Sequence, residues 1–236
     1  MKTNVTVNPY KESDPRKMPA YTLAEASRYL RISPSTLRAW VKGRTYTYRD
    51  ADFFSKQVIS SSELQTPFLS FEQLVEGHII RALRKMHRVS MQNLKTALGA
   101  AQEKFGINNL LLSPQLKTGA GQLFLDRYSE LINLSKSGQY AMKRILEAHL
   151  ERVEYDASKL PLRFYPFLSN DHIESRKVIV IDPLIAFGKP VVARRHISTC
   201  VIVDRIDAGE AIQDVADDYG LDLQDVNDAI LYERAA

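Results

Sequence analysis

Residues 21–43, YTLAEASRYLRISPSTLRAWVKG, decide the fold of the N-terminal end, because they mark the starts of two consecutive helices. Thr22 followed three residues later by Glu25 is a capping box, in which each side chain satisfies a backbone N–H at a helix start. Leu23, Ala24, Ala26, Tyr29 and Leu30 give that helix a mostly apolar face. Ile32 is placed to plug the turn, Ser33 to cap a second helix, and Pro34 to open it where no amide donor is needed. Leu37, Trp40 and Val41 then recur at i, i+3, i+4 and point inward. Ser35, Thr36, Arg38, Ala39 and Lys42 are left outside, and they are small, polar or basic. A DNA major groove accepts such a face: Arg and Lys reach phosphates or guanine edges, and Ser and Thr reach either. The alternative is an ordinary helical hairpin with a solvated basic face.

The chain has 236 residues, enough for one large or two small domains, and its 44% hydrophobic and 25% charged content is ordinary for a soluble globular protein. No apolar run approaches the roughly 20 residues that span a bilayer, and residues 1–19 read as a loose polar lead-in without a signal-peptide core. Cys200 is alone, which fits a reducing cytoplasm, and its setting in ISTCVIV predicts a buried, inert thiol. The net charge of +4 hides an asymmetry. Residues 16–104 carry fifteen Lys/Arg against seven Asp/Glu, whereas residues 105–236 carry fifteen against nineteen. From Asp204 to Arg234 ten acidic side chains face only Arg205 and Arg234. A basic first half exploits phosphate charge and an acidic end is repelled by it, so the two ends are expected to have different partners.

After the second helix, GRTYTYRDADFF interleaves Arg44 and Arg49 with aromatic and β-branched positions. This predicts a short extended segment or hairpin, either a wing laid on the DNA backbone or a connector that completes a small core. Ser70 caps a helix in FEQLVEGHIIRALRKMHR, whose basic end complements the helix dipole. A second helix runs from Met91 to about Phe105 and ends near Gly106. Further on, GQLFLDR and ELINL read as short strands, and QYAMKRILEAHLERV as a helix. Gly119-Ala120-Gly121 does not make a phosphate loop, because no Gly-Lys-Ser/Thr follows.

The last sixty residues read as a compact unit. VIVIDP is a buried strand and KPVVARRHIS an extended piece. STCVIVDRIDAG is a helix capped by Ser198 or Thr199, GEAIQDVADDYG a helix ended by Gly220, and LQDVNDAILYERA a helix capped by Asp222. The last two again have helix-turn-helix spacing. Their charges argue against DNA, since the predicted outward face of the final helix carries Asp225, Asp228 and Glu233.

The block VIVIDPLIAFGKPVVARRHISTCVIVDRIDAGEAIQDVADDYGLDLQDVNDAI is similar to the small antitoxin domain of bacterial type II toxin–antitoxin modules, long catalogued as a domain of unknown function. Preceded by a MerR-like helix-turn-helix, the whole arrangement resembles the long form of the VapB-type antitoxins. The resemblance implies a C-terminal domain that binds a protein toxin, usually a PIN-type ribonuclease, and an N-terminal domain that binds and represses the module's own promoter. Against an acidic, metal-dependent active site, Arg194 and Arg195 are candidate cations, with solvated surface or internal ion pairing as the alternative. Ile185 and Phe187 are candidate hydrophobic anchors, with core packing the preferred alternative for Phe187.

No catalytic constellation stands out. Five histidines are scattered without an i, i+4 pair, and Asp214, Asp217 and Asp218 read as a solvated helix face, so no metal or cofactor is expected and the chain reads as a non-enzyme. The expected fold is mainly α with a few short strands: a winged, MerR-like helix-turn-helix with supporting helices over 20–105, a middle α+β region over 106–174, and a small helical domain over 175–236. Contacts to DNA are expected from Ser35, Thr36, Arg38 and Lys42, with Arg44 and Arg49 on phosphates. A homodimer on repeated half-sites is expected as well. An excisionase-like architectural protein or a plain transcription regulator, without a toxin partner, is the alternative function.

Overall fold

The computed structural model describes residues 14–48, 51–59, 68–85, 91–107, 109–117, 119–131, 133, 135–167 and 176–234. A two-residue strand β1 (Tyr21–Thr22) leads into α1 (Leu23–Leu30), started by the complete Thr22–Glu25 capping box. Arg31 turns the chain in the left-handed conformation, Ser33 accepts from the Thr36 N–H, and Pro34 opens α2 (Pro34–Lys42). The strands β2 (Arg44–Tyr48) and β3 (Ala51–Ser55) pair antiparallel, so the extended segment is a hairpin, and β4 (Phe68–Leu69) pairs back on β1.

The helix α3 (Phe71–Lys85) is the centre of the molecule. Ser70 and Gln73 cap it reciprocally, with Ser70 N–H donating to Gln73 Oε1 at 2.8 Å and Gln73 N–H to Ser70 Oγ at 3.3 Å. Every residue from 73 to 80 is buried, so this helix is covered on all sides by other elements. A Cβ on Gly77 would lie 2.7 Å from Leu30 Cδ1, which shows how closely α1 crosses it. On another side His78 Nε2 donates to the His149 carbonyl at 3.1 Å, and its ring lies 4.7 Å from that of His149 and 4.5 Å from Phe164.

Outside α3 run α4 (Met91–Phe105), α5 (Gly119–Leu131) and α6 (Lys136–Leu150), then a hairpin of β5 (Val153–Tyr155) and β6 (Pro161–Phe164). Here the expectation of short strands in GQLFLDR and ELINL is corrected: the first lies wholly in α5, and the second starts with the last two residues of that helix, Glu130 and Leu131, while Ile132 and Leu134 lie outside the described residues. Ala120, Phe124, Leu125 and Tyr128 are buried at helical spacing, and a short apolar run cannot distinguish the two periods by itself. The predicted helix through Val153 stops at Leu150, and Val153 opens β5 instead. Of the polar lead-in, Arg16 is tied down, pairing with Asp14 and with Asp156 beyond β5.

Phe164 and Ile181 exchange backbone hydrogen bonds of 2.9 and 2.8 Å, which join β6 to the C-terminal unit. That unit is a three-stranded antiparallel sheet, β7 (Ile179–Val180), β8 (Val191–Val192) and β9 (Ile197–Ser198), followed by α7 (Thr199–Asp207), α8 (Ile212–Tyr219) and α9 (Leu223–Arg234). All three predicted helices are present, but α7 has no side-chain cap; the Thr199 hydroxyl bonds the Pro190 carbonyl and Glu233 instead. One apolar core cluster runs from Tyr21 to Tyr232. Among the described residues no helix is long and apolar enough to cross a membrane.

Two outcomes follow from this packing. A Cβ on Gly121 would lie 1.8 Å from the Leu116 carbonyl oxygen, so this glycine permits close backbone approach, and Gly121→Ala should lower stability by about 1–3 kcal/mol in denaturant unfolding. Burial, followed by the neighbouring His149, holds the His78 pKa well below the usual 6.5. The unfolded chain therefore takes up a proton at His78 below about pH 6.5 that the folded chain refuses, and stability falls as pH drops through that range. Thermal melts between pH 8 and 5.5 should show this loss, and His78→Gln should reduce it.

Candidate nucleic-acid and partner interfaces

The outward side of α2 faces an open groove of about 940 Å³. Its walls are α2 (Ser35, Thr36, Arg38, Ala39, Trp40), the ends of the hairpin (Arg44, Phe54, Ser55, Lys56) and the α3–α4 corner (Arg84, Met91, Gln92). Gly43 makes the tight entry into the hairpin. Its φ is +75°, and a Cβ there would lie 2.5 Å from the Ser55 carbonyl oxygen. The backbone then returns under α2, where the N–H groups of Val58 and Ile59 both donate to the Trp40 carbonyl. Leu37 and Trp40 are buried as the periodicity requires, and the Arg84 guanidinium stands 5.8 Å from the centre of the Trp40 ring.

Four cations line this groove (Arg38, Arg44, Lys56 and Arg84) and no carboxylate does. Among the described residues none of the four, nor exposed Lys42, forms an ion pair. Ser35 and Thr36 join the Ser33 hydroxyl in a small network, with Ser33 Oγ donating to Thr36 Oγ1 at 2.8 Å. Of the expected DNA-contacting residues, Ser35, Thr36, Arg38 and Arg44 share the groove. Lys42 is exposed outside its lining, and Arg49 lies outside the described residues. Sequence reasoning missed Lys56, Arg84 and Gln92. Arg84 was visible only as one charge in the basic end of α3, a pattern that the helix dipole explains equally well.

At the other end, the IDP motif builds a turn: the buried Asp182 carboxylate accepts from the Leu184 N–H at 2.9 Å and pairs with Arg163 at 3.4 Å. Ala186, Phe187 and Gly188 follow with φ of 48°, 56° and 75°. Two successive non-glycine residues in the left-handed region are costly, at about 1–3 kcal/mol each, and need a surround that fixes them. Gly188 supplies part of it, since a Cβ there would lie 2.3 Å from Tyr21 Oη. The turn leaves Phe187 93% exposed and Leu184 54% exposed, while Ile185 packs half-buried against Tyr165, Val180 and Val191. Core packing for Phe187 is thereby corrected: the left-handed backbone aims the ring into solvent.

Arg194 and Arg195 occupy the turn between β8 and β9. Arg194 pairs with Asp222 and reaches Asp225 at 4.0 Å, and Arg195 Nε donates to the Gly220 carbonyl at 3.2 Å. Both are more than one-third exposed, so the internal-pairing alternative describes their resting contacts. The expected outward face of α9 is corrected. Asp225 and Asp228 are 4% and 5% exposed and are clamped by Arg176 at 3.1 and 3.0 Å, and Glu233 lies against Arg28. Buried carboxylates demand such partners. Cys200 is also corrected, being exposed rather than buried. Asp214 and Asp217 are exposed, and Asp218 pairs with Arg205. Among the described residues no group of three or more His, Cys, Asp or Glu side chains is placed to hold a metal ion.

Each of these two ends matches a described family. Residues 19–98 match the family described as "Putative DNA-binding HTH domain", and residues 179–232 match "Protein of unknown function (DUF433)". The chain is 28% identical to "Putative antitoxin VapB45" of Mycobacterium tuberculosis, over 90% of this chain and 93% of that protein. It is 22% identical to "Uncharacterized protein Rv2308" of the same organism, over 91% of this chain and 90% of that one. Its fold matches the X-ray crystal structure of Rv2018 from Mycobacterium tuberculosis with a TM-score of 0.65 and 24% identity, covering 90% of this chain and 98% of that one. The chain thus joins an N-terminal helix-turn-helix domain to a C-terminal DUF433 domain and, along nine-tenths of its length, is similar to a VapB-type antitoxin.

Proposed function

We propose that this chain is the antitoxin of a bacterial type II module. It binds its own promoter as a homodimer through residues 20–105 and binds a PIN-type ribonuclease toxin through residues 175–236. It acts without catalysis of its own. The observation that carries the DNA-binding half is the state of the cations. Those around the groove, Arg38, Arg44, Lys56 and Arg84, have no carboxylate partner among the described residues, whereas Arg176, Arg194, Arg205 and Arg234 in the acidic unit are all paired. Unneutralised cations around a concave surface are what a phosphate backbone binds. In this reading Ser35, Thr36 and Arg38 reach base edges, and Lys42, Arg44 and Arg49 hold phosphates.

The partner-binding half rests on Phe187. An aromatic side chain that is 93% exposed, on a backbone held in an unfavourable conformation, has the form of an interface anchor. Arg194 supports the reading because its resting pair with Asp222 is solvent-exposed, and exposed pairs of this kind are worth about 0–1 kcal/mol. Such a pair exchanges readily for a carboxylate of the partner, and Asp225 keeps Arg176 when Arg194 leaves.

Co-expression with the neighbouring reading frame, with one chain tagged, tests the toxin half. A ribonuclease recovered in a stable, inactive complex is the expected result. Recovery of this chain alone, still shifting its promoter DNA, would leave a plain regulator. Within the complex, Phe187→Ala should weaken binding about thirtyfold, the scale of a hot-spot truncation near 2 kcal/mol, without altering the promoter shift. Charge reversal of Arg194 and Arg195 should abolish neutralisation of the toxin. Arg44→Gln should reduce the slope of log affinity against log salt by about one, whereas Arg38→Gln should leave that slope and relax discrimination between promoter and unrelated DNA.

A further inference from the structure

The wall of the groove that the hairpin supplies carries an aromatic ring among its cations. Phe54 lines the groove and is 62% exposed. It stands opposite Thr45 at the root of the hairpin, next to the pair of Arg44 with Ser55. Gly43 fixes its position: a Cβ there would lie 2.8 Å from Phe54 Cζ, so the ring rests on the glycine that ends α2. The Gly43 N–H donates to the Ala39 carbonyl at 3.0 Å, which sets these two residues one turn apart on the same side of the helix. The groove face of α2 is thus divided. Ser35 and Thr36 give its first turn hydroxyls, whereas Ala39, Gly43 and Phe54 make its far end apolar.

Neither the core nor the charge of the groove accounts for this ring. Among the described residues Phe54 belongs to neither apolar core cluster. Affinity for a phosphate backbone comes from cations, which an aromatic side chain does not supply. On its base edges a duplex displays one apolar group, the C5-methyl of thymine, and displays it in the major groove. Arg44 on the neighbouring strand and Lys56 two residues further along flank the ring, so backbone contacts by these cations would hold it against that groove. The Lys56 carbonyl accepts from Lys95 Nζ, which ties this end of the hairpin to α4. Asp52, the carboxylate on the same side of β3, accepts from the Thr47 hydroxyl at 2.7 Å and does not line the groove.

We infer that Phe54 reads thymine. Its ring packs on the C5-methyl of a thymine in the major groove, beside the bases reached by α2, and sets the preference at that base pair. The inference rests on the DNA-binding reading given above and adds to it a specificity residue from outside the recognition helix.

Uracil differs from thymine only by that methyl, so the probe can be altered while the protein stays intact. The thymines of a promoter fragment are replaced by uracil one at a time, and each fragment is titrated with the full chain. At least one replacement should weaken binding about fourfold, which corresponds to about 0.8 kcal/mol, the scale of one buried methylene-sized group. Phe54→Ala should weaken binding to the unmodified fragment by a similar factor, and uracil at that position should then cost nothing further. Phe54→Leu, which keeps an apolar surface there, should retain part of the dependence. The slope of log affinity against log salt should stay at the wild-type value in both variants, because no phosphate contact is removed. Three results would each overturn the inference: wild-type binding indifferent to every replacement, a replacement that costs Phe54→Ala as much as it costs the wild-type chain, or a salt slope lowered in Phe54→Ala. A wild-type chain that binds no promoter fragment removes the DNA-binding reading itself, whereas tight binding that ignores uracil removes the role of Phe54 alone.

Discussion

The architecture depends on a helix that has no free side. From residue 73 to residue 80, α3 is buried without interruption, and three of those residues are Gln73, Glu76 and His78. A helix in that position obliges everything around it to satisfy polar groups as well as fill space. Gln73 is used in the cap, and His78 is used against the His149 carbonyl. The missing side chain at Gly77 lets α1 come close enough to seal the remaining face. The helix-turn-helix, the middle helices and the strand that leads to the C-terminal unit thus all meet on one surface. Their relative positions follow from its shape.

Charge is organised by a different rule at each end. In the C-terminal unit the arginines are consumed internally: Arg176 closes over two buried aspartates of α9, Arg205 joins Glu210 and Asp218, and Arg234 reaches Asp207. The acidic excess of that segment is therefore partly a set of structural pairings, and less of it faces solvent than the sequence count suggests. Around the groove the opposite holds. There the cations stand apart from carboxylates and share the lining with the apolar Trp40, Phe54 and Met91 side chains. Net charge alone would have ranked the two ends only by sign.

The parts of the fold legible in the sequence are those carried by local chemistry. Thr22 with Glu25, Ser33 with Pro34, Ser70 with Gln73, and Gly220 each mark a helix boundary through atoms only a few residues away. The parts that were not legible depend on distant partners. Asp225 and Asp228 read as a solvated face because Arg176, which buries them, is 49 and 52 residues earlier. The strand-like reading of GQLFLDR failed because its helical character comes from packing on α4 and on the Leu116 backbone, not from its short apolar pattern. The core-packing alternative for Phe187 failed because hydrophobicity predicts burial only when the backbone permits it, and here three left-handed residues in a row do not. At the groove, the recognition-helix residues were readable from periodicity, while Lys56 and Arg84 join them only through tertiary folding.

Trp40 is the only tryptophan in the chain. It is 4% exposed, forms the floor of the groove, and lies beneath a guanidinium. An indole in that position is an optical reporter confined to one site. Its emission is set by the cation above it and by the apolar wall around it, with no second indole elsewhere to dilute the signal. Excitation at the red edge of the protein band therefore views the groove in isolation. Quenching by small solutes measures how far that wall has opened, without any label being introduced.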